Sequence, residues 1–383
     1  MRRVCVVITA RPSYSRIKTA LAALRDRPDV ELQLVVAASA LLDRYGSAVD
    51  TVRADGFTPD SLVYTVLEGE SPVSMAKTAG LGIIELSTAL NNLRPDVVVT
   101  VADRFETMST AISASYMNIP LAHVQGGEVT GSIDEKVRHA ITKLSDLHLV
   151  ATECAAERVR RLGEVATAVH VTGCPSIDLA GEVLADPALD FDPAERYGGV
   201  GGAIDLDAGY LVVMQHPVTT EYEESRSQTW ETLHAARDSG LQVLWFWPNV
   251  DAGADCTSNA IRTFREQERP RGFHFFKNMA PEDFLRLLVN SRGLVGNSSV
   301  GIRECSFLGV PVVNIGSRQR GRERGANVVD VGYGRTEIAL AIAEQAARGP
   351  LKPDTVYGDG RSGQRVAEVL ATAPLTIEKR ITY

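Results

Sequence analysis

The chain has 383 residues, 44% of them hydrophobic and 23% charged, too many for one ordinary core and too balanced a mixture for a disordered polymer. Forty Lys and Arg stand against 48 Asp and Glu, a formal charge of −8, which disfavours a protein that coats nucleic acid or a membrane surface through basic residues. Five scattered cysteines without Cys-x-x-Cys spacing favour neither a disulfide framework nor a structural zinc site, and no apolar run approaches the roughly 20 residues that span a bilayer. A soluble, intracellular protein of two domains is expected.

Short Val/Ile/Leu-rich runs then alternate with longer stretches of helical period. Val4–Thr9 precedes Tyr14–Leu24, Asp96–Val101 precedes Phe105–Met117, and Leu121–Val124 precedes Asp134–Leu144. Uninterrupted apolar strands between helices predict a parallel sheet covered on both faces. The rhythm restarts at Tyr210–Met214 and continues through Gln242–Trp247, Gly293–Val295 and Val310–Ile315, predicting a second α/β unit. Between the two, Ala185 to Gly209 is rich in Asp, Ala, Gly and Pro and reads as surface loop or irregular helix, with the junction close to Gly173. Arg361 to Leu370 reads as a last amphipathic helix crossing back to the first domain. The domains expected are therefore 1–173, with that helix packed on it, and 174–360. Two doubly wound sheets facing a central cleft bind ligands outside the carboxyl ends of their strands, so the chemistry is expected just after each strand.

Five segments occupy such positions. Thr9-Ala-Arg11-Pro-Ser13-Tyr-Ser15 is a strand-to-helix turn whose free N–H groups and arginine suit a phosphate, although capping by Ser13 with Arg11 on the surface is the plainer alternative. In Ala102-Asp103-Arg104-Phe105-Glu106, Asp103 is either a helix N-cap or a catalytic carboxylate at a strand end. The densest stretch runs from His123 to His139: Gly126-Gly127 lets backbone approach a ligand and presents Glu128, and Asp134 falls in the first turn of a helix with Arg138 one turn on. A solvated Asp134–Arg138 pair is worth only about 0.3–0.5 kcal/mol. Three carboxylates at one mouth, Asp103, Glu128 and Asp134, argue for more, because crowded like charges push proton affinities apart and so divide acid from base. In Gln215-His216-Pro217, His216 suits charge stabilisation or proton transfer, and Asn249 and Asp251 follow the next strand, where an Asx turn is the alternative. Last, Gly296-Asn297-Ser298-Ser299 offers two hydroxyls at a helix start, Glu304 suits a pair of ribose hydroxyls, and Gly316–Gly325 carries four arginines in an otherwise acidic chain, favouring phosphate or base contacts.

Taken in order, Arg11-Pro-Ser-Tyr-Ser15, Asp103-Arg-Phe-Glu106, Gly126-Gly-Glu128 with Ile133-Asp134 and Arg138-His139-Ala-Ile-Thr-Lys143-Leu144, Gln215-His216-Pro217, Gly296-Asn-Ser-Ser299 and Arg318-Gln-Arg-Gly-Arg322 resemble one family along nearly the whole chain. It is that of the hydrolysing UDP-N-acetylglucosamine 2-epimerases of sialic acid biosynthesis. The resemblance implies an α/β fold of the glycosyltransferase-B type with two Rossmann-like domains, a cytoplasmic homo-oligomer (dimer or tetramer), a nucleotide-sugar substrate, and neither cofactor nor metal. It also implies loss of the carbon-2 proton as the nucleoside diphosphate leaves carbon 1, followed by hydration of the 2-acetamidoglucal to free N-acetylmannosamine. In those terms Asp103, Glu128 and Asp134 form the acid/base group with His216 near the diphosphate. Arg11, Ser15, Arg104, Arg138, His139, Asn249, Ser298, Ser299, Glu304 and Arg318 would hold the substrate. Ala102 stands where the family commonly has Gly. The alternatives are a hydrolysing epimerase acting on another nucleotide sugar, GDP-linked or a UDP-linked 2,4-diacetamido sugar, and a glycosyltransferase of the same fold; the carboxylate cluster counts against the latter, because one base suffices there.

Overall fold

Seven parallel strands form the sheet of the first of two units into which the chain divides, Met1–Glu128, Ile133–Leu179 and Tyr357–Tyr383; the second is Val129–Ser132 and Ala180–Val356. The computed structural model describes residues 1–43, 46–68, 71–129, 133–248 and 253–382. In the first unit β1 (Arg2–Ile8), β2 (Val30–Ala37), β3 (Ser61–Val63), β4 (Val97–Val101), β5 (Leu121–Val124), β6 (Leu147–Val150) and β7 (Val169–Val171) lie in the order β3-β2-β1-β4-β5-β6-β7. The period of two along each strand splits its side chains between two cores: Val4, Val6 and Ile8 with Val97, Val99 and Val101 on one face, Cys5, Val7 and Val98 on the other. Helices Lys18–Arg25 and Ser362–Thr372 cover the first face, and Pro72–Leu93, Thr107–Tyr116 and Ile133–Leu144 the second. This explains why β4, Val-Val-Val-Thr-Val, is buried throughout and shows no polar alternation.

The last helix is tied in by charge as well as by apolar contact. The N–H groups of Ser362 and Gly363 donate to Asp178 at 2.8 and 2.6 Å, where a carboxylate answers both the unpaired donors and the positive end of the helix. Arg2 Nη1 donates to the carbonyls of Leu370 and Ala373 at 2.8 and 2.9 Å. Farther along, Lys379 donates to buried Glu164, which also accepts from Lys143 Nζ at 2.6 Å and His148 Nε2 at 3.1 Å. Burial by itself raises the Glu164 carboxyl, but the hydrogen bonds from His148, Lys143 and Lys379 outweigh it and hold the pKa at about 2.

The second unit contains β8 (Val200–Gly201), β9 (Tyr210–Met214), β10 (Gln242–Phe246), β11 (Phe273–Phe276), β12 (Gly293–Gly296), β13 (Val312–Ile315) and β14 (Val328–Val331), in the order β14-β13-β12-β9-β10-β11-β8. All pairings are parallel except β8 against β11. Helices Ser225–Asp238, Ala254–Glu268 and Arg335–Arg348 pack on a core that includes Val213, Trp245, Phe273 and Ile315. Each sheet is doubly wound, and the winding direction reverses between β1 and β4 in one and between β9 and β12 in the other. Among the described residues no helix is long and apolar enough to cross a membrane.

Two expectations change. Tyr14–Leu24 is not one helix: Arg11–Ser15 and Lys18–Arg25 are separated at Arg16 and Ile17, where Ile17 leaves helical geometry (φ −133°) and its N–H turns back only three residues, to the Tyr14 carbonyl at 3.0 Å. The segment Ala185–Gly209, read as loop or irregular helix, also contributes β8, a strand of two residues that is too short to leave a period in the sequence.

Candidate active site

In the first unit the reversal point lies between the turns that follow β1 and β4. Directly after β4, Ala102 adopts φ +66°, a left-handed conformation that costs an L-residue about 1–2 kcal/mol. Its N–H donates to the Val124 carbonyl at 2.9 Å and its own carbonyl accepts from His123 Nε2 at 2.8 Å, so the turn is held at both ends. A glycine would adopt this φ without strain, which gives a physical reason for the family's residue there.

The turn delivers Asp103, buried, to Arg138, whose Nη2 donates to Asp103 Oδ2. Arg138, on the helix Ile133–Leu144, is 0% exposed; its Nη1 donates to the Gln125 carbonyl at 2.5 Å and lies 4.0 Å from Glu128 Oε2. Arg16 Nη1 approaches Asp103 Oδ1 to 3.9 Å. Two buried carboxylates, Asp103 and Glu128, thus share one fully buried guanidinium. Asp134 stands in the first turn of the same helix, one turn before Arg138, where the helix dipole favours a carboxylate.

Several plainer readings fail on this geometry. Asp103 is not a helix N-cap, since the next helix, Thr107–Tyr116, begins after Glu106, and Glu106 is itself buried, accepting from Ser39 Oγ at 2.9 Å and Arg104 Nε at 3.2 Å. Ser13 does not cap Arg11–Ser15, whose N-cap is Ala10; Ser15 Oγ donates locally to the Pro12 carbonyl at 3.1 Å. The pair Gly126-Gly127 also has a reason within the protein. A Cβ on Gly127, at φ +73°, would stand 2.3 Å from the Ala155 carbonyl oxygen, so the close approach there is to the protein itself. Arg11 is only partly buried, and loss of hydration pushes its guanidinium down to about 10. His139 Nε2 donates to Glu135 Oε1 at 2.9 Å at the half-exposed side of the helix.

In the second unit the turns after β9 and β12 are joined by Asn297. Its Oδ1 accepts the His216 N–H and its Nδ2 donates to the His216 carbonyl, both at 2.8 Å. The Asn297 carbonyl in turn accepts from Arg318 Nη1 at 3.2 Å and Gln319 Nε2 at 2.8 Å. One residue therefore fixes His216, the start of the short helix Ser299–Ile302 and the arginine-rich loop together. Ser298 does cap that helix, Oγ accepting from the Val300 N–H at 3.4 Å. Glu304 opens the following helix, 9% exposed, with Oε2 buried and without a hydrogen-bond partner among the described residues. Such an orphaned acceptor costs about 1–3 kcal/mol, a cost that a ligand hydroxyl removes. Asn249 and Asp251 lie outside the described residues.

The strand-end rule singles out neither Arg16, one residue beyond its segment, nor the part played by Asn297, although both stand where that rule looks. The contact of His123 with a carbonyl 21 residues away leaves no local mark in the sequence.

A family model described as UDP-N-acetylglucosamine 2-epimerase matches residues 22–371. A Legionella pneumophila protein named UDP-N,N'-diacetylbacillosamine 2-epimerase (hydrolyzing) is 32% identical over 375 residues, which cover 98% of this chain and 97% of that protein. The UDP-N-acetylglucosamine 2-epimerase of Neisseria meningitidis is 30% identical over 374 residues, 97% of this chain and 95% of its own. Among solved structures, the UDP-GlcNAc 2-epimerase of Methanocaldococcus jannaschii in complex with UDP-GlcNAc and UDP aligns with a TM-score of 0.76 at 16% identity, over 96% of this chain and 99% of that one. That likeness shows the fold, two doubly wound α/β units of the glycosyltransferase-B type. Since the family pattern spans residues 22–371, from the helix Lys18–Arg25 to the last helix, the chain belongs to the UDP-N-acetylglucosamine 2-epimerase family and is an enzyme of that family.

Proposed function

We propose that the enzyme is a hydrolysing nucleotide-sugar 2-epimerase, converting UDP-N-acetylglucosamine and water into N-acetylmannosamine and UDP. The observation that carries this reading is the pair of buried carboxylates, Asp103 and Glu128, on the buried Arg138. A base takes the proton from carbon 2 while the bond from carbon 1 to the diphosphate oxygen breaks, and the freed electron pair becomes the double bond of 2-acetamidoglucal. Water then adds, hydroxyl to carbon 1 and a proton to carbon 2 from the opposite face, which inverts that centre. Proton transfers on opposite faces need groups in opposite protonation states, and Asp103, Glu128 and Asp134 supply more than one. His216, Ser298, Ser299 and Arg318 are assigned to the diphosphate and Glu304 to the ribose, with Arg11, Ser15, Arg104, His139 and Asn249 as further binding residues. A second substrate, a UDP sugar with two acetamido groups, is favoured by the name of the Legionella relative.

The test is product analysis by proton NMR in heavy water, with both UDP sugars and no acceptor. Free 2-epimerised sugar carrying deuterium at carbon 2 is expected, because the route passes through a glycal. Product protonated at carbon 2 would mean plain glycoside hydrolysis and sink the proposal.

Glu304→Ala tests the nucleotide assignment. Hydrogen bonds to a charged acceptor contribute roughly 1.5–3 kcal/mol, so UDP affinity should fall about ten- to a hundredfold by calorimetry. Because the substitution removes an orphaned buried oxygen, the thermal midpoint should hold or rise. Unchanged affinity with collapsed stability would show that Glu304 serves the fold instead.

A further inference from the structure

His123 is buried among the segments of the first unit that carry Asp103, Glu128 and Asp134, though the proposed chemistry gives it no task. Its ring is 0% exposed. Nε2 lies 2.8 Å from the Ala102 carbonyl, which can only accept, so Nε2 carries the proton. Nδ1, 3.2 Å from Thr142 Oγ1, is then the acceptor for that hydroxyl. Thr142 sits one turn after Arg138 on the helix that begins next to Asp134. On a third side the ring closes against Gly126, where a Cβ would stand 2.9 Å from Nδ1 and 3.0 Å from Thr142 Oγ1. A single imidazole therefore touches the turn that carries Asp103, the turn that carries Glu128 and the helix that carries Asp134.

We propose that His123 is a positioning residue: a neutral strut, protonated on Nε2, that sets the three carboxylate-bearing segments relative to one another and moves no proton itself. The proposal rests on the acid/base reading of those carboxylates. Ala102 shows why a strut is needed, since its left-handed turn is a conformation that alanine abandons unless the surroundings insist on it, and the turn decides where Asp103 points. The charge state fits. Burial pushes the imidazole down to about 3, the hydrogen bond to Ala102 opposes this, Arg138 and His148 lower it further and Asp103 raises it. The ring thus stays neutral wherever the carboxylates work.

Two variants and one spectrum test the idea. His123→Phe keeps the volume and removes both hydrogen bonds; kcat should fall about a hundredfold, the effect of a misplaced catalytic group, with KM and UDP affinity within about twofold of wild type. His123→Gln places an amide N–H where Nε2 was and should recover at least about tenfold of that loss. In the wild-type enzyme with 15N-labelled histidine, this imidazole should show the Nε2–H tautomer and no titration from pH 5 to 9, a measurement that does not depend on any variant folding. Wild-type kcat in His123→Phe overturns the proposal, as does a Gln variant no better than Phe. So does an imidazole that titrates in step with the rate, which would make His123 a proton carrier. If the wild-type enzyme releases no epimerised sugar from either substrate, the functional reading fails instead, and the tautomer still decides whether His123 is a neutral strut.

Discussion

Asp103→Asn, Glu128→Gln and Asp134→Asn should each lower turnover by about 10²–10⁴-fold, the range typical of a general acid or base, while UDP affinity should be retained. Each amide keeps the shape of the side chain and abolishes proton transfer. Affinity is retained because the groups assigned to the nucleotide, Ser298, Ser299, Glu304 and Arg318, belong to the other sheet. The three variants nevertheless differ. Asp103 and Glu128 are buried beside Arg138, so neutralising either leaves a fully buried cation with less counter-charge, and both variants also melt earlier. Asp134 is half-buried on the first helical turn, where the helix dipole favours its charge, so its variant should melt only slightly earlier. Steady-state kinetics with calorimetry and thermal melts separates these effects, and wild-type turnover in all three variants would remove the acid/base assignment.

Arg138→Met should destabilise the protein by about 3–5 kcal/mol, the cost of breaking a buried ion pair from one side. The guanidinium serves Asp103, the Gln125 carbonyl and, at 4.0 Å, Glu128 at once. Methionine fills comparable space and answers none of them. Lysine should rescue little, because a single ammonium cannot reproduce a planar fork that engages a carboxylate and a carbonyl on different nitrogens. Combining Arg138→Met with Asp103→Asn should cost less than the sum of the two, since the second change removes the charge that the first left stranded. Urea unfolding gives the numbers, and a loss below about 1 kcal/mol for Arg138→Met would mean that the pair is solvated.

The architecture was legible because the strands are apolar without interruption; runs such as Val97–Val101 have no other home than a sheet covered on both sides. Strands of two or three residues, Ser61–Val63, Val169–Val171 and Val200–Gly201, are too short for any period and are fixed by their neighbours in the sheet. At the site, the strand-end rule pointed to Asp103, His216 and Ser298 as positions, and nothing in the sequence said with whom they pair. Local spacing suggests Asp134 as the partner of Arg138, whereas the fold brings it to Asp103, 35 residues away. The left-handed Ala102 was hinted at only by the family's glycine, because alanine by itself signals an ordinary backbone and only tertiary hydrogen bonds hold it otherwise.

The last helix brings Val366, Ala367 and Leu370 to the core around β1 and takes its capping carboxylate from Asp178. The unit that contains the amino terminus is consequently the last to be finished during synthesis. At about 5–20 residues per second, roughly 10–40 s pass on the ribosome between the emergence of Leu179 and that of Arg361. Throughout that interval β1 and the helix Lys18–Arg25 lack the apolar contacts of the last helix, while the second unit, nearly continuous in sequence, can complete its own sheet. Translation thus runs against the usual amino-terminal-first order: the first unit waits for its last helix until the second has been made.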